Sequence, residues 1–148
     1  MMRTTLLLVL FALFYSGVAA GTPARPYDRK LDEYGNIRWG DEKARLDNFA
    51  IEMQLEPSAK GYIFCYGGRR GRAGEALRRC NRAKGYVSGY RHVEAGRIMT
   101  LNAGFREELT VELWVLPPGV TPPTASPTVD PAEVKLTKAK PHRSRPKR

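Results

Sequence analysis

The chain is poor in the residues that most often carry chemistry. It has two cysteines and two histidines in 148 residues, and Cys65, Cys80, His92 and His142 are too scattered to form a metal-ligand set. Neither histidine stands near a nucleophile motif, and no paired carboxylates occupy a recognisable acid–base setting. The sequence therefore predicts no enzyme and no cofactor. Long hydrophobic runs are also lacking. The longest, Leu6 to Tyr15, is ten residues, against the roughly 20 that a membrane-crossing helix needs. Acidic side chains are outnumbered, 15 Asp+Glu facing 25 Lys+Arg. That balance points to an anionic partner or, more blandly, to solubility alone.

What is present begins with a three-part export pattern. Arg3 supplies a positive start, the run to Tyr15 an apolar middle, and Val18-Ala19-Ala20 a small-residue cleavage site. Residues 1–20 are expected to be removed on export, leaving no transmembrane helix in the mature chain. Residues 21–33 are polar with prolines at 23 and 26, and read as an extended lead-in. Residues 34–116 are expected to form one domain with a modest core. Residues 117–148 are rich in Pro, Thr, Lys and Arg, and carry seven Lys+Arg against two acidic residues. That composition predicts a disordered tail.

Within the domain, Tyr34 to Trp39 reads as a first strand or the approach to one. Asp41 then caps a helix that stops at Glu56-Pro57, with Leu46, Phe49, Ala50 and Met53 as its inward stripe. Tyr62 to Tyr66 is the second strand. A second helix is expected from about Ala73 to Tyr86, with Ala73, Ala76, Leu77, Cys80, Ala83 and Val87 facing inward and a Glu75–Arg79 pair at i,i+4 spacing. Arg97 to Asn102 and Thr110 to Leu116 read as the last two strands, ended by Pro117-Pro118. The order β-α-β-α-β-β predicts an α+β fold, a mixed sheet with both helices on one face.

Between the second strand and second helix lies Gly67-Gly-Arg-Arg-Gly-Arg72. It lacks the Gly-Lys-Ser/Thr ending of a nucleotide-binding loop. Its three arginines beside a helix N-terminus still suit an anion, with a plainly solvated loop as the alternative. Cys65 in the strand and Cys80 on the helix are 15 apart. In an oxidising compartment they invite a disulfide, unless Tyr62, Phe64 and Tyr66 are the residues that face the helix; two buried free thiols are then the alternative.

Asp41 to Asp47, the Arg82-Ala83 pair and Val93 to Ile98, set on these elements, resemble the OmpA-like domain, the peptidoglycan-binding module of outer-membrane proteins. The resemblance covers roughly Ile37 to Leu116. It implies a non-enzymatic protein of the periplasm or outer membrane, or one that is released. Its implied partners are peptidoglycan or another anionic envelope polymer, or an envelope protein, with no nucleic acid. In that family an aspartate after the second strand holds the ammonium of diaminopimelate, and the arginine of the Arg-Ala pair holds a carboxylate. Arg82 matches the arginine. The aspartate position falls on Gly67 or Gly68, and the loop offers Arg69, Arg70 and Arg72 instead. Glu75 is the candidate replacement acid. The alternative is a structural or protein-interaction module that has this fold and has lost peptidoglycan binding.

Overall fold

The computed structural model describes residues 30–137. The expected signal segment, residues 21–29 of the lead-in and the basic run 138–148 lie outside the described residues. The order is β1 (Lys30–Tyr34), α1 (Trp39–Leu55), β2 (Lys60–Gly68), α2 (Glu75–Gly89), β3 (Ile98–Arg106) and β4 (Thr110–Leu116). This is the α+β arrangement expected. The sheet runs β1-β4-β2-β3, with β2 and β3 parallel and the other two pairings antiparallel. No described helix is long and apolar enough to cross a membrane.

Alternation along the strands sorts side chains onto two faces. Ile63 and Cys65 of β2 and Val111, Leu113 and Val115 of β4 meet Leu46, Phe49, Ala50 and Met53 of α1 and Ala76, Cys80, Ala83 and Val87 of α2 in one buried cluster. Both helices therefore cover the same face. Tyr62, Phe64 and Tyr66 point the other way, which leaves Cys65 free to meet α2. The Cys65–Cys80 disulfide forms, with Cα atoms 6.0 Å apart. Closing a loop of that size restricts the unfolded chain by about 3 kcal/mol in the chain-entropy model.

Three local expectations are corrected. The first strand lies at Lys30–Tyr34, overlapping the end of the supposed lead-in, and Trp39 belongs to α1. As an edge strand, β1 pairs only with β4, and charged residues suit such a position better than an apolar run does. Asp41 sits in the first turn of α1, not at its cap, because the helix starts two residues earlier. Trp39 is anchored there edge-on to Tyr86, with ring centroids 5.5 Å apart. The second helix starts later than expected, since Gly74 precedes it in a left-handed conformation, φ 68°. Ala73 is thereby left outside and exposed. Leu77 is also largely exposed, about a quarter turn from the buried stripe, and Arg79 is buried in its stead.

The largest correction concerns the tail. Residues 125–137 are not a free segment but a strap folded across the aromatic face of the sheet and on to the Gly/Arg loop. The backbone N–H groups of Thr128 and Val129 donate to Phe105 O at 2.9 and 3.1 Å, and Val129 is buried. The Ser126 N–H donates to the Tyr66 hydroxyl at 3.1 Å. Arg106 lies over the Tyr66 ring and reaches both Ser126 Oγ and Glu112, each at 2.8 Å. Glu112, itself buried, also accepts from the Tyr66 hydroxyl and the Trp114 indole. Aromatic side chains that no helix covers need another lid. A proline-rich segment serves because its restricted backbone loses little entropy on docking.

Candidate anion-binding cleft

The candidate site lies where β2 leaves the sheet and α2 begins. The strap ends there as well. Lys135 N–H donates to Arg69 O at 2.8 Å, Thr137 N–H donates to Gly71 O at 3.0 Å, and Ala73 N–H donates to Thr137 O at 3.1 Å. The Gly/Arg loop is thus pinned from both sides. Glu75 adds a third tie, its Oε2 accepting from the Arg72 backbone N–H at 3.0 Å. The expected Glu75–Arg79 pair does not form. Arg79 turns inward to a different carboxylate.

That carboxylate is Glu42 of α1, fully buried. Arg79 Nη1 donates to its Oε2 at 2.8 Å, and Arg79 Nη2 donates to Asn36 Oδ1 at 2.7 Å. Arg82 Nη2 donates to the same Oε2, while its guanidinium stacks on Trp39 at 4.3 Å from the ring centroid. The Tyr34 hydroxyl donates to Oε1 at 3.3 Å. Burial, with the Glu42 charge beside it, pushes the Tyr34 phenol far above its ordinary value. Two arginines converge on one acid, so the group keeps a net positive charge. Arg82, 45% exposed, carries that charge to the surface.

Two of the clefts around the start of α2 are lined by several arginines. The larger, about 690 Å³, contains Arg69, Arg70 and Arg72, but also Glu75, Glu107 and Glu108. Arg69 is occupied there, paired with Glu107 at 2.7 Å and with the strap's Glu133 at 3.1 Å. The smaller, about 320 Å³, is lined by Arg72, Arg78, Arg79, Arg82 and Glu75. It is the more positive of the two. The structure thus brings Arg72, Glu75 and Arg82 together and leaves Arg69 and Arg70 in the neighbouring, charge-balanced cleft. Cys65 and Cys80 sit beneath, fixing α2 to β2.

Sequence reasoning missed Arg78 and Arg79 as cleft residues. The signal was available, since Arg78 and Arg82 stand at i,i+4 spacing and share a helix face. Arg78 Nη1 donates to Ala73 O at 2.8 Å and meets no carboxylate among the described residues. The Arg70 and Arg72 side chains likewise have no ion pair among the described residues. At Gly67 and Gly68, where the resemblance implies an ammonium-binding aspartate, space is short. A Cβ on Gly67 would lie 3.0 Å from the Phe105 ring, and one on Gly68 would lie 3.0 Å from the Leu109 backbone nitrogen.

Among the described residues no three His, Cys, Asp or Glu side chains gather to hold a metal ion. No family model and no curated protein sequence matches this chain.

Proposed function

We propose that this chain is an exported, non-enzymatic protein of OmpA-like type that associates with the cell envelope, holding an anionic wall component through the arginine-lined cleft at the start of α2. The supporting observation is the convergence of Arg72, Arg78, Arg79 and Arg82 on one open cleft with a single lining acid, Glu75. Arginine suits this work because its planar fork meets carboxylate or phosphate oxygens with two parallel hydrogen bonds. Peptidoglycan stem peptides carry such carboxylates, and the chain's excess of basic residues favours any anionic polymer.

A second reading has its own support. Arg82 already serves Glu42 and Trp39, and neither Gly67 nor Gly68 offers an acid. These facts favour a structural or protein-interaction module of the same fold that no longer binds peptidoglycan. Retention of the full mature chain on purified sacculi across a salt series separates the two. Retention that persists at high salt in the native chain and disappears in Arg82→Ala supports the cleft; Glu42 keeps Arg79 in that variant, and a thermal melt checks its fold. Retention that salt abolishes equally in both proteins means polycation attraction only. Complete absence of retention puts the interaction module ahead.

A further inference from the structure

We infer that the smaller cleft is a phosphate site and that its ligand is a phosphate-bearing polymer rather than an amino-acid head group. This rests on the envelope reading above and names the ligand class for the same cleft. The first argument concerns the acids. A zwitterionic ligand needs a free carboxylate to meet its ammonium, and an unanswered ammonium is costly to desolvate. One acid at this cleft is out of a ligand's reach and the other is partly engaged. Glu42 is buried beneath two arginines and a tyrosine hydroxyl, and Glu75 accepts from the Arg72 backbone. With four arginines against one lining acid, the cleft favours negative charge and offers an ammonium only the second oxygen of Glu75.

The second argument concerns how much charge. Four guanidinium groups, on Arg72, Arg78, Arg79 and Arg82, face Glu75 and the underlying Glu42. Two positive charges are left over, matched by a dianionic phosphate group or by two neighbouring phosphodiesters. A lone carboxylate would leave one unanswered.

Extended ligands are favoured by what adjoins the cleft. Arg72 and Glu75 line both clefts, so a chain seated in one continues into the other. The backbone of Thr137 is paired with Gly71 and Ala73 at the same rim. Neither cleft is lined by an aromatic side chain, Trp39 is stacked under Arg82, and the adjoining small pocket that shares Arg72 and Glu75 offers one ring, Phe105. Single-stranded nucleic acid, whose bases need stacking platforms, is therefore the poorer fit.

The test is fluorescence anisotropy of the full mature chain with labelled long-chain polyphosphate at about 150 mM salt, near physiological screening. Competitors are polyglutamate of equal charge, single-stranded DNA, and vesicles of phosphatidylglycerol in phosphatidylcholine. We expect Arg72→Gln with Arg78→Gln to weaken polyphosphate at least tenfold, and Lys43→Gln with Lys60→Gln, an equal charge loss elsewhere, to weaken it less than threefold. Polyglutamate should compete at least tenfold less well than unlabelled polyphosphate. Equal competition by polyglutamate, tighter binding of DNA, binding to vesicles alone, or equal losses in the two double variants would each overturn the inference. Sacculus retention that needs Arg82 without any polyphosphate binding would overturn it while leaving the envelope reading intact. Polyphosphate binding through Arg72 and Arg78 without sacculus retention would do the reverse.

Discussion

Glu42→Gln removes one negative charge from the centre of the protein with almost no change of shape, so its cost measures how far the fold depends on that charge. In the native chain the carboxylate is fully buried. It accepts from Arg79 at 2.8 Å, from Arg82 and from Tyr34 at 3.3 Å. Glutamine preserves an oxygen acceptor but leaves Arg79, only 9% exposed, with Asn36 as its other partner. Arg82 is half in solvent and water can answer its charge, so its contribution is discounted. Removing one partner of a buried pair costs about 3–5 kcal/mol; with the retained amide hydrogen bond and Arg82 solvated, the low end, about 3 kcal/mol, is expected. A urea m-value of about 1–3 kcal/mol/M converts that into a midpoint about 1–3 M lower. Urea titration of the oxidised protein, followed by tryptophan fluorescence, reads the shift. The double variant Glu42→Leu with Arg79→Leu removes both buried charges and should be less destabilised than the sum of the two singles by at least about 1 kcal/mol. A Glu42→Gln midpoint within about 0.3 M of the native value, or strictly additive leucine variants, would refute the reasoning.

One further outcome concerns the strap and another the Tyr34 phenol. Tyr66→Phe deletes the hydroxyl that joins strap to sheet, leaving the Ser126 N–H without its acceptor. It should cost about 1–2 kcal/mol, and hydrogen exchange at Ser126, Thr128 and Val129 should speed up while β2 amides stay protected; unchanged exchange in the strap would remove the hydroxyl from its anchoring role. The second outcome is a pH dependence. Because burial beside Glu42 raises the Tyr34 phenol above its ordinary value near 10, the unfolded chain loses that proton first as pH rises. Stability is therefore fully present below about pH 10 and falls above it. Thermal melts of Tyr34→Phe should decline less steeply in that range than those of the native chain, and parallel declines would count against the assignment.

How much of this was legible in the sequence depends on whether the signal is local. The α1 stripe Leu46, Phe49, Ala50 and Met53, the alternation of Val111, Leu113 and Val115, and the Cys65–Cys80 spacing each report periodicity within one or two neighbouring elements, and each survives in the fold. The first strand did not show itself, since Lys-Leu-Asp-Glu-Tyr at a sheet edge carries charges to solvent and resembles a loop. The strap was hidden for a related reason. Its few apolar contacts, chiefly Val129, are useful only against an aromatic face that the sequence could equally have turned toward the helices. Charge is the least legible of all. Composition counts arginines but cannot say which acids will reach them, and those acids lie far off along the chain: Glu42 meets Arg79 from 37 residues away. The fold assigns Arg79 and Arg82 to Glu42, and Arg69 to Glu107 and Glu133. The Arg72 and Arg78 side chains have no ion pair among the described residues, and it is this unequal distribution, rather than the number of basic residues, that leaves the smaller cleft the more positive of the two.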